Sequence, residues 1–274
     1  GYFEDIEGFD PERFGILEAE ARMLDPQQRL FLDAAWEAME RAGSRPDRPR
    51  GTRGGVYVGI TSNDFAQWSS RAGVEVDPAR IGGNLISFTA SRVAYLMDLS
   101  GPALVIDAAC ASSLLAVHLA MQALRSGEID LGIAGGANVL LHSEPTEIFD
   151  RAGVMSEDAR ARAYDDAAAG YFRSEGAVAL VLKRLPDAVA AGDPILAVLR
   201  GSAAAQDGRR RAGLLAPGVD GQRHVAALAL RDAGVEPETI ALLEAQGTST
   251  TLGDALELTG LSAAYAGRIG GCAL

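Results

Sequence analysis

The chain passes from an apolar run into the start of a helix within the ten residues Val105-Ile106-Asp107-Ala108-Ala109-Cys110-Ala111-Ser112-Ser113-Leu114. A strand is predicted to end just before Cys110, and a helix is predicted to begin there. Backbone N–H groups and the positive end of that helix then point at the thiol, which favours the nucleophilic thiolate. A cysteine that follows an apolar strand is also compatible with a small buried core residue, so this stretch alone leaves both interpretations open.

The composition indicates an acidic globular protein. The chain has 274 residues, of which 48% are hydrophobic and 23% charged, enough for the core of one large domain or two small ones. Its formal net charge of -12 argues against a nucleic-acid-binding surface and against attraction to anionic membranes.

The cysteines indicate the cellular compartment, and the two chain ends indicate a longer polypeptide. Cys110 and Cys272 are far apart and lack metal-ligand spacing, which predicts neither a disulfide framework nor a zinc site and suits a reducing cytoplasm. No apolar run reaches the roughly 18 residues of a membrane span, and the first residues do not resemble a signal peptide. The chain lacks an initiator methionine, and its last residues are typical of the start of a strand. We therefore expect the given sequence to have been cut at both ends from a longer polypeptide.

Strands and helices are predicted to alternate along most of the chain. Asp25 and Pro26 mark the start of a helix that ends at Gly43. A strand at 103–109 feeds a helix at 110–126, which is apolar on nearly every side and is therefore predicted to be buried all round. Further strands are predicted at 55–60, 131–141, 177–185, 195–202 and 240–244, and further helices at 82–99, 220–234 and 251–265. This order predicts a layered α/β architecture with helices on both faces of a sheet.

Four motifs occur in order along the chain. They are Leu24-Asp25-Pro26-Gln27-Gln28-Arg29; Asp107-Ala108-Ala109-Cys110-Ala111-Ser112-Ser113; Tyr164-Asp165 through Gly170-Tyr171 to Arg173-Ser174-Glu175-Gly176; and Gly247-Thr248-Ser249-Thr250 with Gly253-Asp254. With them the chain resembles, over essentially its whole length, the ketosynthase domain of modular type I polyketide synthases. Those domains belong to the β-ketoacyl synthase family of the thiolase fold.

The resemblance implies a fold and an assembly. The fold would be thiolase-like, with the layers α-β-α-β-α, and incomplete because the first strand and the C-terminal part are missing. An N-terminal half would span 1–190 and carry Cys110, and the C-terminal half would begin within 191–274. The complete protein is expected to be a homodimer that works beside other domains of the same polypeptide.

The resemblance also implies an activity. Such enzymes take an acyl chain from the phosphopantetheine of an acyl carrier protein onto the cysteine. They then condense it with a malonyl-type extender by decarboxylative Claisen chemistry, in polyketide or fatty-acid-type biosynthesis. Cys110 is the implied nucleophile, and no bound cofactor and no metal are expected. Thr248 and Thr250 match positions that contact the pantetheine arm in the family, although turn chemistry alone also accounts for these threonines.

One departure from the family pattern concerns catalysis. The family has His-Gly-Thr-Gly-Thr where this chain has Gln246 followed by Gly247-Thr248-Ser249-Thr250, so the first catalytic histidine is replaced by an amide. The family's lysine and second histidine would lie beyond Leu274. Four further positions differ from the residues usual in the family: Ala205, Leu215, Gly218 and Ala255.

The chain's own histidines offer no evident replacement. His118 would lie about 12 Å along the helix axis from Cys110, at about 1.5 Å per residue, which is too far for proton transfer. A Cys–His pair through His142 or His224 stays open as an alternative.

The functional hypothesis therefore depends on the amide at Gln246. An amide donates a hydrogen bond but neither holds a charge nor shuttles a proton. We expect acyl transfer to Cys110 with impaired or absent elongation. One alternative is an ordinary condensing ketosynthase with a reduced rate, and another is a non-catalytic dimerisation or carrier-docking module. A thiolase or cysteine hydrolase on a similar fold is a third, which lacks an identifiable base.

Overall fold

The computed structural model describes residues 1–46, 51–74, 77–78, 80–209, 211, 213 and 216–265. The chain forms two compact units, both discontinuous in sequence: the first unit comprises Gly1–His142 with Ser174–Val198, and the second comprises Ser143–Arg173 with Leu199–Leu274. The expected division into halves near residue 190 concerns the linear order of elements and stays a prediction.

The helices and strands in chain order are α1 (Glu18–Ala21), α2 (Pro26–Arg41), β1 (Gly54–Gly59), α3 (Asp64–Arg71), α4 (Arg80–Asn84), α5 (Ser87–Leu96), β2 (Ala103–Ile106), α6 (Ser112–Ser126), β3 (Leu131–Asn138), α7 (Glu144–Arg151), β4 (Gly176–Leu182), α8 (Leu185–Ala191), α9 (Val219–Ala233) and α10 (Thr251–Ala264). Short 3-10 turns lie at Glu12–Phe14 and Pro237–Thr239. None of the described helices combines the length and the apolar character that crossing a bilayer requires.

The described residues of the first unit form a four-stranded sheet in the order β2-β1-β3-β4. β1 pairs in parallel with β2 and β3, with Val58 opposite Val105 on one side and Gly135 on the other. β4 runs antiparallel to β3. Gly135 is required there, because a Cβ at this position would lie 1.9 Å from the Val178 carbonyl oxygen. The three parallel strands therefore end at one edge of the sheet, the edge from which the chain enters α6.

Helices cover the sheet on two sides. α2 and α5 pack on one face, where Leu32, Val56, Val58 and Ile133 are fully buried. Each such side chain contributes about 1.5 to 3 kcal/mol relative to an exposed one. α6 packs on the other face through small residues.

The start of α2 is formed as its sequence predicts. The Asp25 carboxylate accepts a hydrogen bond from the Gln27 N–H at 2.8 Å, and Pro26 occupies the first helical turn, where its missing N–H costs nothing. β1, β3, β4, α9 and α10 likewise overlap the segments predicted for them.

The prediction that the helix at 110–126 is buried all round is wrong. α6 begins at Ser112 rather than at Cys110, and Leu114 on its outer side is 76% exposed. Ala116 and Ala120 are fully buried on the side facing the sheet. The helix is thus one-sided, because alanines make its packing face and the larger apolar residues do not all lie there.

Two predicted strands are also absent from the described structure. Residues 195–202 form no strand, and Leu196 is 97% exposed; residues 240–244 carry only an isolated bridge at Leu242. An apolar segment becomes a strand only when a neighbouring strand supplies its ladder of hydrogen bonds, and neither segment is part of the described four-stranded sheet.

Candidate functional site

Cys110 lies on a strained turn between β2 and α6. It is a free, exposed cysteine, and the residue before it, Ala109, has a left-handed backbone with φ 51°. The buried Ser112 holds the turn, because its Oγ accepts from the Ala108 N–H at 2.8 Å and donates to the Ala109 carbonyl at 2.6 Å. Asp107 Oδ1 accepts from the Ala109 N–H at 3.0 Å. Local hydrogen bonds thus present the thiol to solvent at the end of a parallel strand.

Two glycines let the start of α6 approach the sheet edge. A Cβ on Gly59, at the end of β1, would lie 2.5 Å from the Ser113 nitrogen. A Cβ on Gly136, on β3, would lie 3.1 Å from the Ser113 Cβ. No side chain caps the helix at Ala111. The first turn of α6 therefore lies against the ends of β1 and β3, with its positive end beside Cys110.

The second unit carries the other predicted site residues on one loop. Gln246 is exposed, and its backbone N–H donates to Glu257 Oε1 at 2.8 Å. The Oγ atoms of Thr248 and Thr250 lie 3.1 Å apart and hydrogen-bond each other. A side chain at Gly253 would collide with the Thr250 Oγ1, at 2.3 Å from the added Cβ. The structure thus brings the two threonine hydroxyls together at the entry to α10.

Ser249, between those threonines, anchors the loop from inside. It is fully buried with φ 59°. Its Oγ accepts from the Arg162 N–H at 2.7 Å, and its carbonyl accepts from the Gly170 N–H at 2.6 Å. The segment around 162–170 and the loop at 246–250 are therefore joined by hydrogen bonds from main-chain donors.

Tyr164 and two acidic residues of α10 add further hydrogen bonds around this loop. The Tyr164 N–H donates to Asp254 Oδ2 and its phenol donates to Glu257 Oε2, both at 2.7 Å. The Gly247 N–H donates to the same Glu257 oxygen at 3.0 Å. Burial raises the pKa of the Tyr164 phenol, and the hydrogen bond to Glu257 raises it further, so the phenol is a stable donor at neutral pH.

Sequence reasoning assigned no role to Glu257, Tyr164 or Ser249. Tyr164 and Ser249 lie in the quoted motifs, whereas Glu257 lies outside them. The available signal was the i, i+3 spacing of Asp254 and Glu257, which puts both carboxylates on one face of α10.

The predicted site residues are divided between the two units. Cys110 belongs to the first unit, whereas Gln246, Thr248 and Thr250 belong to the second. Cys272 and Leu215 lie outside the described residues. The described part of the chain holds no cluster of three or more His, Cys, Asp or Glu side chains suited to a metal ion.

Comparison with known protein families identifies the family to which this chain belongs. A model of the β-ketoacyl synthase N-terminal domain matches residues 1–188, and a model of the β-ketoacyl synthase C-terminal domain matches residues 196–273. The chain belongs to the β-ketoacyl synthase family. The resemblance inferred from its motifs is confirmed.

The relatives are large polyketide synthases. The chain is 45% identical over 273 residues to a mycocerosic acid synthase-like polyketide synthase of Mycolicibacterium smegmatis, with 100% of the chain and 13% of that protein covered. It is 46% identical over 274 residues to a phenolphthiocerol/phthiocerol polyketide synthase of Mycobacterium tuberculosis, with 100% of the chain and 18% of that protein covered. The chain thus spans less than a fifth of these relatives.

Solved structures confirm the α/β thiolase-like fold. The ketosynthase from module 6 of the bacillaene synthase of Bacillus subtilis matches with a TM-score of 0.88 at 39% identity, over 96% of this chain and 45% of that one. An oxazolomycin ketosynthase domain of Streptomyces albus matches with a TM-score of 0.90 at 35% identity, over 98% of this chain and 48% of that one. In sequence and in fold the chain is therefore similar to the ketosynthase domains of polyketide synthases.

Proposed function

We propose that the protein takes an acyl chain from the phosphopantetheine of an acyl carrier protein onto Cys110. The observation that carries this proposal is the exposed thiol on its strained turn, with the positive end of α6 beside it. The Cys110 thiolate attacks the thioester carbonyl and forms a new C–S bond. The pantetheine C–S bond breaks, and the carrier thiolate leaves and is protonated by solvent.

The helix end supports both charged species of this step. Backbone N–H groups at a helix N-terminus stabilise the thiolate before attack, and they stabilise the oxyanion of the tetrahedral intermediate after it. Acyl transfer therefore needs no group at position 246.

Condensation makes a further demand. The family reaction is a decarboxylative Claisen condensation, in which histidines stabilise the enolate left by loss of carbon dioxide. Gln246 stands where the first of them is expected, and losing one such donor costs a factor of about 10² to 10³. We propose that elongation by this protein is impaired or absent.

The partners follow from the same chemistry. The substrate arrives on phosphopantetheine, and the paired hydroxyls of Thr248 and Thr250 are suited to hydrogen bonds with the amides of that arm. We propose an acyl carrier protein and further domains of the same polypeptide as partners, with the protein as a homodimer.

Intact-mass spectrometry tests the acyl transfer. After incubation with an acyl-pantetheine thioester, the full protein is expected to gain one acyl mass. Cys110→Ala should abolish the adduct, and Cys272→Ala, which removes the other thiol, should leave it intact. Absence of an adduct in the unmodified protein refutes the proposal. Failure to label with iodoacetamide as well favours the docking-module alternative.

Addition of malonyl carrier protein to the acylated enzyme tests elongation. We expect no condensed product, and condensation at an ordinary rate would contradict non-elongation. Gln246→His separates the alternatives, because a gain of about 10²-fold in condensation is expected only if the histidine is the missing group.

A further inference from the structure

We propose that Glu257 is a positioning residue, whose carboxylate holds the backbone at Gln246 and so sets where the side chain at position 246 points. This inference rests on the proposed function for the importance of position 246, and on the hydrogen bonds of the second unit for its geometry. No motif of the sequence assigned a role to Glu257.

Three donors converge on this carboxylate. The Gln246 N–H donates to Oε1 at 2.8 Å, the Gly247 N–H to Oε2 at 3.0 Å, and the Tyr164 phenol to Oε2 at 2.7 Å. Both oxygens are therefore engaged with donors. An ionised carboxylate accepts on both oxygens, whereas a carboxamide presents an NH2 group to one side. The arrangement accordingly requires glutamate and not its isosteric amide.

The loop needs such an anchor because its backbone is not held by a helix or a strand. Residues 243–250 are irregular, and Gly247 and Ser249 have φ 52° and 59°. A left-handed non-glycine residue persists only when its surroundings over-determine it. Ser249 is held from the 162–170 segment, and residues 246 and 247 are held by Glu257. Loss of the second anchor frees the part of the loop that carries position 246.

Tyr164 orients the anchor. Its phenol donates to Glu257 while its N–H donates to Asp254, three residues earlier on the same face of α10. Tyr164 therefore limits the rotamers of the Glu257 carboxylate through Oε2, whereas the Gln246 N–H binds Oε1. We expect its removal to weaken the anchor less than removal of the carboxylate.

Hydrogen exchange reads the anchor directly. In Glu257→Gln, the amides of residues 246 and 247 are expected to exchange about tenfold faster or more, the equivalent of one lost hydrogen bond. Tyr164→Phe should give a smaller acceleration at the same amides. Glu244→Gln, an identical chemical change at an exposed glutamate nearby, should leave them unchanged. Unchanged exchange in Glu257→Gln overturns the proposal.

Kinetics in the Gln246→His background distinguish positioning from mere support of the fold. Adding Glu257→Gln is expected to lower the condensation kcat about tenfold, with KM for the carrier-bound extender unchanged and the Cys110 acyl adduct still formed. A gain that survives Glu257→Gln refutes the positioning role. Absence of any gain in Gln246→His alone instead refutes the importance that the proposed function gives to position 246. Absence of the Cys110 adduct in the unmodified protein refutes the proposed function instead, and the exchange measurement still reports on the anchor.

Discussion

Strained residues lie close to the candidate site residues of each unit. Ala109, Tyr164 and Ser249 have left-handed backbones although none is glycine, with φ of 51°, 61° and 59°. Such conformations cost about 1 to 3 kcal/mol each and cluster at functional sites. Each is held by hydrogen bonds that leave little alternative, as Ser112 shows for the turn before Cys110. The strain is thus maintained by hydrogen bonds within each unit.

At the same scale, the pKa of the Asp130 carboxylate predicts how the stability of the protein depends on pH. Hydrogen bonds from Arg184, and secondarily from Arg53, lower the pKa of Asp130 below its usual value. Its contribution to stability is therefore complete above the ordinary carboxyl pKa of 3.8 and is lost as pH falls through the lower folded-state pKa. Arg184→Gln is expected to raise the Asp130 pKa, as measured by NMR titration of the carboxyl carbon, and to move acid unfolding to higher pH.

Arg53→Gln is the control for this titration. Because Arg53 ranks behind Arg184 as a cause of the shift, its removal should raise the Asp130 pKa less. A larger effect from Arg53, or none from Arg184, would show that the Arg184 contact is unimportant in solution.

At the scale of elements, the closest approach between β1 and α6 lies at Gly59. A Cβ on Gly59 would lie 2.5 Å from the Ser113 nitrogen and 2.6 Å from the Ser112 carbonyl carbon, and both are backbone atoms that cannot rotate away. Gly59→Ala is expected to lower the free energy of unfolding by about 1 to 3 kcal/mol, as overpacking does. It should also slow acylation of Cys110, because the start of α6 must move. Urea denaturation and adduct formation measure the two effects.

Gly176→Ala is the matched control in the same sheet. A Cβ at Gly176, where β4 begins, has no atom within 4 Å. We expect its free energy of unfolding to stay within about 0.5 kcal/mol of the unmodified protein. Equal effects of the two substitutions would mean that the close approach at Gly59 does not matter.

At the scale of the whole molecule, an apolar sheet edge faces solvent on an acidic protein. β4 ends the described sheet, and Val178 and Leu180 on it are 61% and 42% exposed. Exposed apolar edge strands promote association, whereas the net charge of -12 opposes it. We expect concentration-dependent self-association in sedimentation velocity, with Val178→Lys weakening it about tenfold.

Val189→Lys is the control for this association. Val189 on α8 is 63% exposed, nearly the same as Val178, and the substitution changes the net charge by the same amount. Both substitutions bring the charge closer to zero, which by itself favours association, so weakening by Val178→Lys alone locates the contact on β4. A chain that stays monomeric at all concentrations would refute the expectation.

Local chemistry made much of this protein readable from its sequence. The cap of α2 by Asp25 and the strand that begins at Ala103 depend on neighbouring residues, and such local signals can be identified without a structure. The prediction that Gln246 stands in place of a catalytic histidine rests on the identity of one residue, and it stays a prediction. The motifs around them were specific enough to predict the β-ketoacyl synthase family, which the family models confirm.

Pairing between distant segments was decided only by the tertiary structure. Tyr164 and Glu257 are 93 residues apart in sequence, and no local pattern indicates that their side chains meet. The exposed side of α6 and the absence of a described strand at 195–202 have the same origin, because burial and strand pairing depend on which segments come to lie alongside. The sequence by itself determined the strand before Cys110 and the family, since these follow from local preference and residue identity. The turn at Ala109 and the start of α6 at Ser112 came only from the structure. The hydrogen bond between the Gln246 N–H and the Glu257 carboxylate was decided only by the tertiary structure, since it forms only once the chain has folded.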